Sequence, residues 1–463
     1  MHAPLVWWAA QRPQTLALDD GVLRLDFAQL AARVAESAGA LEQAGASTTA
    51  WVDDSQEPGA QLLSFVAIVA SGRTAAFGDP DWPPHLREQV RERVRQLLQP
   101  PHAGAATASS PFYIGFTSGS TGLPKGFRRS HGSWTSSFEI CLQTFGAAAS
   151  TPVLVPGRLS HSLFLFGAML GLWTGAGVRL QSRFSATAAL DTLRRGEAGC
   201  LVAVPSQLIL MLEQARRHGM GPIEATQLVM IGGAPWARAR TPELQALFPA
   251  ARIIEFYGAS ETSFIAWADS DSTLPDTAVG RPFSNVELRV DPPAPGLIYV
   301  RSPMVFQDYV TLMPGEDSTA VLRDGDWLSV RDMGHIDNAG LLHLLGRQQR
   351  MLVTQGKNLF PEEVENMLAA HPALASVSIQ GVPDALRGTQ AVALLSLTAP
   401  VTSADLVAWC RARLEPYKTP RRFYVCSEWP RTLSGKTDHP ALARMLTAHL
   451  SLGEQGGSSL SLL

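Results

Sequence analysis

The stretch FTSGSTGLPKG, residues Phe116–Gly126, decides how the rest of the chain is interpreted. It brings hydroxyl side chains and glycines together ahead of a single lysine, Lys125. Glycines let backbone N–H groups converge on an anion, hydroxyls donate further hydrogen bonds, and lysine adds a compact positive charge. The composition predicts a phosphate-binding loop, and a Ser/Gly surface turn is the alternative for this stretch alone. It is not a Walker A loop, because Lys125 follows Pro124 and precedes Gly126.

Four further motifs follow along the chain. They are IGGAP (Ile231–Pro235), YGASET (Tyr257–Thr262), GDWLSVRDMGHID (Gly325–Asp337) running into GRQQRMLVTQGKNLFPEEVE (Gly346–Glu365), and PRTLSGKTD (Pro430–Asp438). Together with the first motif they resemble the adenylate-forming superfamily, which comprises acyl- and aryl-CoA synthetases, adenylation domains of peptide synthetases, and luciferases. The resemblance covers nearly the whole chain, and its best match is a stand-alone bacterial acyl-CoA ligase. Five separated motifs in the family's order make coincidence very improbable.

The pattern of elements predicts an α/β fold. Short β-like runs alternate with helical stretches up to about Asp291, which favours layers around a largely parallel sheet. The resemblance implies a large N-terminal domain of layered sheets with a small β-barrel-like part at 1–347, trimmed at its N-terminus. It also implies a small, mobile α+β domain at 348–463. The Gly/Ser-rich composition of about 451–463 predicts a flexible tail.

The resemblance implies a reaction in which a carboxylate attacks the α-phosphate of ATP, giving acyl-AMP and pyrophosphate, before a thiol takes the acyl group. The matching positions assign roles within the ATP site. The residues that would bind the phosphates are Thr117, Ser118, Gly119, Ser120, Thr121, Gly122, Lys125 and Ser260. Those that would contact adenine are Gly233, Ala234, Pro235 and Tyr257. Asp332 and Arg347 would bind the ribose, and Glu261 would bind Mg²⁺. Outside these motifs, Glu261 would be an ordinary solvated carboxylate, Tyr257 a core aromatic, and Asp332 or Arg347 half of a surface ion pair.

Lys436, in SGK, matches the family's mobile catalytic lysine. An ammonium there can bridge the attacking carboxylate and the α-phosphate while charge develops. In the family the C-terminal domain rotates about a hinge after the GR motif, which places the hinge at Gln349. That rotation would bring in a loop with Gly356 and Lys357 at the thiol tunnel, although an exposed loop lysine is an equal alternative. Lys418 matches a family pattern and is predicted to be structural.

The acid substrate is predicted to be a fatty or aryl carboxylic acid. Amino-acid activators of the family place an Asp in the segment equivalent to residues 159–166, whereas this chain has LSHSLFLF there. His161 matches a residue of acyl- and aryl-CoA ligases, with a hydrogen-bonded core histidine as its alternative. The predicted acid pocket comprises Phe164, Gly232, Gly258, Ala259 and Phe264, whose small members would leave a channel.

The thiol acceptor remains open between free CoA and the phosphopantetheine of a carrier protein. A degenerate family member that binds nucleotide without turnover is a third alternative. Three departures from the family pattern keep it open: Val330-Arg331 replaces the usual Thr-Gly, Gln349 lacks the hinge charge, and the phosphate loop begins early, at Thr117. Retention of the catalytic positions, Lys436 among them, argues against it.

Composition excludes several other classes. The formal charge is −3, so the charge offers no case for nucleic-acid binding. Of the 38 basic residues only four are lysines. The four cysteines form no C-x-x-C and the N-terminus lacks the pattern of a signal peptide, so we expect a cytoplasmic protein. Residues 159–178 carry no charge, but their strongly apolar part is too short for a membrane span and predicts a buried helix.

Overall fold

The protein is represented by a computed structural model. The structure describes residues 1–45, 48–96, 106–118, 124–310, 321–354, 356–384, 388–432, 436–452 and 459–463. Contacts divide the chain into two compact units. The first unit comprises Met1–Leu274, Val279–Leu288 and Val300–Val330, and the second unit comprises Pro275–Ala278, Arg289–Tyr299 and Arg331–Leu463. The domain boundary predicted between residues 347 and 348 stays a prediction.

The helices of the described residues fall in both units. They are α1 (Ala3–Gln11), α2 (Phe27–Gln43), α3 (Pro58–Ala70), α4 (Pro84–Gln96), α5 (His131–Phe145), α6 (Ser162–Thr174), α7 (Ala186–Arg194), α8 (Pro205–Arg217), α9 (Thr241–Leu247), α10 (Pro361–Ala369), α11 (Ser403–Arg411) and α12 (His439–Leu452). Local sequence explains their starts: Asp26 caps α2 by accepting from the Gln29 N–H, and proline occupies the first turn of α3, α8 and α10.

The strands alternate with these helices. Up to residue 269 they are β1 (Leu16–Asp19), β2 (Arg24–Asp26), β3 (Thr49–Trp51), β4 (Thr74–Ala76), β5 (Pro111–Ser118), β6 (Pro124–Ser130), β7 (Val153–Val155), β8 (Val178–Leu180), β9 (Cys200–Ala203), β10 (Leu228–Ile231), β11 (Arg252–Ala259) and β12 (Ser263–Asp269). Then come β13 (Ala278–Pro282), β14 (Glu287–Val290), β15 (Gly296–Arg301), β16 (Asp308–Val310), β17 (Leu322–Asp324), β18 (Trp327–Ser329), β19 (Asp332–Ile336), β20 (Leu342–Arg347), β21 (Leu352–Thr354), β22 (Lys357–Leu359), β23 (Leu374–Asp384), β24 (Gly388–Leu397), β25 (Phe423–Cys426) and β26 (Leu460–Leu462).

The first unit contains a largely parallel sheet with the order β12-β11-β10-β9-β7-β8-β1-β2. Strands β11, β10, β9, β7, β8 and β1 run parallel, and β12 and β2 are antiparallel to their neighbours β11 and β1. The strands β7, β9 and β10 are buried throughout, as expected for parallel strands covered on both faces. A core that includes Leu190, Met211 and Phe248 packs α7, α8 and α9 against one face.

A second, smaller sheet in the first unit has the order β16-β6-β5-β4-β3. Strands β3, β4 and β5 are parallel, whereas β5, β6 and β16 are antiparallel neighbours. Trp82, Val90 and Val94 from the α4 region pack on Ile114 and Val310 of this sheet. The packing fixes the β5–β6 hairpin, which carries both ends of the predicted phosphate loop.

The uncharged segment 159–178 contains the predicted buried helix. Helix α6 spans 13 residues, and every residue from Phe164 to Leu172 is buried. Among the residues that the structure describes, no helix is long and apolar enough to cross a membrane.

The second unit contains the sheet β22-β21-β24-β25-β26, with β23 paired to β24. Leu359, Val364 and Leu368 pack α10 onto this sheet. The α/β class predicted for the whole chain, with a small α+β part at its C-terminal end, is confirmed.

The end of the chain differs from the predicted flexible tail. Leu460–Leu462 forms β26, which pairs antiparallel with β25. Leu460 is buried against Tyr424, Leu442 and Leu446, while Leu462 is exposed. The alternation of LSL therefore gives a strand that the Gly/Ser composition of the preceding residues obscured.

Candidate active site

Two predicted motifs lie side by side at the carboxyl edge of the first unit's parallel sheet. IGGAP begins at the last residue of β10, and YGASE occupies the end of β11. Strands β10 and β11 are parallel neighbours, with Ile231 opposite Glu255. Because the carboxyl ends of parallel strands meet at one edge, the Gly232–Pro235 and Tyr257–Glu261 segments lie at the same edge of the sheet, the usual location of ligands in open α/β sheets.

The turn that carries Ser260 and Glu261 is closed by a buried threonine. Thr262 donates its N–H to the Ala259 carbonyl at 3.1 Å, and its Oγ1 accepts the Ala259 N–H at 3.1 Å. The pairing of β11 with β12 is irregular between Tyr257 and Gly258. Bulges of this kind re-aim side chains and are common beside active sites.

Glu261 is held by groups that sequence reasoning did not identify. The Tyr309 hydroxyl donates to Glu261 Oε1 at 2.7 Å, and the Phe306 N–H donates to the Glu261 carbonyl at 2.6 Å. A carboxylate oriented by a neighbouring hydroxyl suits Mg²⁺, which prefers one or two carboxylates plus phosphate oxygens. The Glu261 carboxylate therefore fits the predicted role of a magnesium ligand.

Arg129, on β6, is a second residue that the motifs did not reveal. Its side chain is 1% exposed and donates to the Ser260 carbonyl at 2.5 Å, the Ser263 Oγ at 2.6 Å and the Met304 carbonyl at 2.5 Å. Its Nε also donates to the Ser133 Oγ at 3.2 Å. Burial lowers the pKa of Arg129 to about 9, although Glu261 opposes the shift, so the guanidinium stays charged at neutral pH. The only signal in the sequence is an arginine at an inward position of a β-strand.

The phosphate-loop prediction is only partly within the described residues. Thr117 and Lys125 are opposite each other in the antiparallel β5–β6 ladder, followed by Ser118 opposite Pro124. The structure therefore brings the two ends of the motif together. The predicted phosphate ligands Gly119, Ser120, Thr121 and Gly122 lie outside the described residues.

The predicted adenine strip is open to a ligand, whereas two predicted pocket glycines are explained by packing. Gly233, Ala234 and Pro235 are exposed and Tyr257 is half-buried. A Cβ on Gly232 would lie 2.5 Å from the Phe256 ring, and one on Gly258 would lie 1.9 Å from the Ser263 carbonyl. Close packing alone therefore requires glycine at these two positions, and a substrate channel past them stays a prediction.

The two aromatic residues of the predicted acid pocket are buried. The Phe264 ring contacts Phe166, Phe256 and Phe283 with centroids 5.0 to 5.1 Å apart. Phe164 is also buried. This is the environment of core side chains, and the role of Phe164, Phe264 and the half-buried Ala259 in binding an acid stays a prediction.

His161 lies directly before α6 in a charged cluster of the first unit. Its Nε2 is 3.9 Å from Asp79 Oδ2, and the side chain is 30% exposed. Arg158 binds Asp81 at 2.7 Å and Asp79 at 3.4 Å. The histidine is thus partly accessible beside a carboxylate, unlike the buried core histidine that was its alternative.

In the second unit, the two predicted ribose ligands lie next to each other. Asp332 and Arg347 are opposite each other in the β19–β20 ladder, and Arg347 Nε donates to Asp332 Oδ1 at 3.2 Å. The Asp332 side chain is 8% exposed and that of Arg347 is 64% exposed. The ion pair fixes the carboxylate and leaves most of the guanidinium in solvent.

The departure Val330-Arg331 has a conformational consequence. Arg331 has φ = 64°, in the left-handed region where a glycine is favoured, and its Nη1 donates to Gln348 Oε1 at 2.8 Å. The family's usual glycine suits this backbone without strain.

We expect Arg331→Gly to be more stable than Arg331→Ala. Both variants lose the hydrogen bond to Gln348, so the comparison isolates the cost of a Cβ at positive φ, about 1 kcal/mol. Urea unfolding of the two variants measures the difference in free energy of unfolding. Equal midpoints, or a higher midpoint for the alanine variant, would contradict a strained backbone at residue 331.

The predicted hinge and thiol-tunnel positions lie in or beside short elements of the second unit. Gln349 is exposed in the 3₁₀ turn Gln348–Arg350. Gly356 precedes β22, and the Lys357 Nζ lies 5.0 Å from the centre of the Tyr417 ring. The hinge and thiol-tunnel roles of these residues stay predictions.

Lys418 makes the contacts of a structural residue. Its Nζ donates to Glu363 at 2.7 Å and lies 2.9 Å from Glu415 Oε2. Burial lowers the pKa of Lys418, but the hydrogen bonds to both carboxylates outweigh it and hold the pKa above its usual value. These contacts tie the 416–418 turn to α10 and agree with the predicted structural role.

Two hydrogen bonds join Lys436 to Thr432. The Thr432 N–H donates to the Lys436 carbonyl at 2.7 Å, and the Lys436 N–H donates to Thr432 Oγ1 at 3.2 Å. Arg431 and Thr437 form a β-bridge beside them. These contacts hold the backbone of the exposed Lys436.

Comparison with protein-family models decides the family. The model described as AMP-binding enzyme matches residues 53–310, more than half of the chain. The model of the AMP-binding enzyme C-terminal domain matches residues 363–436 and ends at Lys436. This chain belongs to the AMP-binding enzymes. The prediction of an adenylate-forming enzyme is confirmed.

Relatives of this AMP-binding enzyme include the uncharacterized acyl-CoA ligase YhfT of Bacillus subtilis, 37% identical over 337 residues that cover 70% of this chain and 67% of YhfT. The 2-succinylbenzoate–CoA ligase of Bacillus subtilis is 29% identical, covering 69% of this chain and 66% of that protein. The chain thus spans about two thirds of these curated relatives. Among solved structures, the o-succinylbenzoate CoA synthetase MenE of Bacillus subtilis with its acyl-adenylate intermediate has a TM-score of 0.83 at 24% identity, covering 95% and 97% of the two chains. That likeness establishes the shared fold.

Proposed function

We propose that this enzyme is an AMP-forming acid–CoA ligase that activates a fatty or aryl carboxylic acid. The observation that carries the proposal is the match to both halves of the AMP-binding family within one chain, the second ending at Lys436. Relatives named as CoA ligases support CoA as the acceptor. Segment 159–166 has no Asp or Glu that could pair with an α-ammonium group. This supports a substrate that lacks such a group.

In the first half-reaction, a substrate carboxylate oxygen attacks the α-phosphorus of ATP, and pyrophosphate leaves. Thr117 and Lys125 bind the leaving phosphates, and Asp332 accepts hydrogen bonds from the ribose hydroxyls. Lys436 places its ammonium between the two anions as they approach, where a fixed positive charge is most effective. Glu261, oriented by Tyr309, would hold Mg²⁺, and a bound Mg²⁺ would neutralise charge on the phosphate oxygens.

In the second half-reaction, the CoA thiolate attacks the acyl carbon of the adenylate, and AMP leaves. The free energy of the broken phosphoanhydride is thereby kept in a thioester. Gly356 and Lys357 line the approach of the pantetheine arm, and Gln349 is the hinge about which the C-terminal part changes position between the half-reactions. We also propose a cytoplasmic location, which the four free, buried cysteines support because they suit a reducing compartment.

Product analysis tests this proposal. The protein is incubated with MgATP, CoA and, separately, fatty, benzoic, cinnamic and amino acids, and AMP and thioesters are measured by mass spectrometry. We expect acyl-CoA and AMP from at least one fatty or aryl acid. Turnover of amino acids alone would overturn the proposed substrate class, and thioester formation only on a phosphopantetheine carrier protein would overturn CoA as the acceptor.

A further inference from the structure

Arg129 binds two chain segments. One is the turn that carries Glu261, and the other is the segment after Met304 that contacts Glu261. Its guanidinium binds the carbonyl of Ser260 on one side of Glu261 and the hydroxyl of Ser263 on the other. It also binds the carbonyl of Met304, and the segment that follows supplies the Phe306 N–H and the Tyr309 hydroxyl to Glu261. The turn that carries the carboxylate and the segment that orients it therefore share one anchor.

The shape of the arginine side chain matters here. Its planar fork reaches acceptors in several directions, whereas a lysine concentrates three donors at one atom. The four acceptors of Arg129 are neutral oxygen atoms, and the nearby Glu261 carboxylate only partly offsets the cost of burying the charge. A well-packed apolar side chain commonly stabilises a core at least as well as a buried charge does. Stability alone therefore does not explain an arginine at this position.

Backbone conformation gives a second reason. Ser263 has φ = 57°, a left-handed conformation that a serine rarely adopts, and its hydroxyl accepts from Arg129 at 2.6 Å. Such conformations persist where the surroundings hold them, often at functional sites. Arg129 supplies that restraint at Ser263, two residues after Glu261.

We propose that Arg129 is a positioning residue that holds the 259–263 turn in the geometry in which Glu261 binds the divalent cation. This inference rests on the proposed function, because it assigns Glu261 to Mg²⁺. In this role Arg129 acts on Glu261 through Ser260, Ser263 and Met304.

Two matched serine variants test the proposal. Ser263→Ala and Ser133→Ala each remove one acceptor of Arg129, but only Ser263 borders the Glu261 turn. In acid-dependent ATP–pyrophosphate exchange, we expect Ser263→Ala to raise the Mg²⁺ concentration for half-maximal rate about 3- to 10-fold. Ser133→Ala should leave that concentration within about 1.5-fold of wild type. Equal Mg²⁺ requirements in the two variants would overturn the proposal.

Substitution of Arg129 itself gives the larger effect. We expect Arg129→Lys and Arg129→Met, where folded, to raise the Mg²⁺ requirement 10-fold or more while the KM of the carboxylic acid changes less than 3-fold. A loss of thermal stability with an unchanged Mg²⁺ requirement would mean that the residue is structural only, and would overturn the proposal. An inactive but folded wild-type protein would count against the proposed function instead, which keeps the two failures apart.

Discussion

Replacement of Lys436 by Ala should reduce the rate of acyl-adenylate formation about 100- to 1000-fold, the loss typical when one preorganised charge on a developing anion is removed. The family model of the C-terminal domain ends at this lysine, and hydrogen bonds to Thr432 fix its backbone. Rapid-quench assays of acyl-AMP measure the first half-reaction. Thioester formation from supplied acyl-AMP and CoA measures the second, and it should remain within about 3-fold of wild type.

The rarity of lysine in this chain provides a matched control. Lys418→Met also removes an ammonium from the second unit, but that group donates to Glu363 and Glu415. We expect a lower stability, by about 1 to 3 kcal/mol, with adenylation within about 3-fold of wild type. Adenylation by Lys436→Ala at a near wild-type rate would contradict the catalytic role. Lys436→Arg asks separately whether a compact ammonium is needed, and we expect it to be slow because guanidinium has a different shape.

Replacement of Glu261 by Gln should lower kcat/KM for MgATP about 100-fold or more. The amide keeps the size of the side chain and an acceptor for Tyr309, but it loses the negative charge that attracts Mg²⁺. The loss should be partly recovered at high Mg²⁺ concentration. Exchange rates measured across a Mg²⁺ titration test this expectation.

Glu255→Gln is the matched control for Glu261→Gln. Glu255 lies on β11, the strand that leads into the Glu261 turn, and binds the buried Arg238 at 2.8 Å. We expect this variant to lose stability, by about 1 to 3 kcal/mol, and to keep the wild-type Mg²⁺ requirement. If both glutamine variants show the same Mg²⁺ dependence, Glu261 is not the metal ligand.

Sequence was sufficient for the fold wherever pattern and motif agreed. The uncharged segment 159–178 is predicted to hold a buried helix, and helix α6 at Ser162–Thr174 is that helix, because its apolar run is buried from Phe164 to Leu172. Motif order also predicted that Asp332 and Arg347 serve one site, and the β19–β20 ladder places them opposite each other. Their adjacency fits the family resemblance, and their contact with ribose stays a prediction.

Residues that act through distant contacts could not be predicted in the same way. Arg129 meets Ser260 across 131 positions of sequence, and Tyr309 meets Glu261 across 48. A single arginine or tyrosine carries no periodicity, and only the packing of β6 and β16 against the site gives each its partner. The positive φ of Arg331 could not be predicted either. The sequence shows that another residue replaces the family's glycine, but not that residue 331 keeps the backbone conformation that favours glycine.

Acid-dependent ATP–pyrophosphate exchange tests the central claim most directly, since it reports reversible acyl-adenylate formation without any thiol. With purified, folded protein, MgATP and labelled pyrophosphate, we predict label incorporation into ATP that requires a fatty or aryl carboxylic acid. We also predict that it disappears in the Lys436→Ala variant. An absence of exchange with every acid tested would contradict the assignment of this chain as an active adenylate-forming ligase.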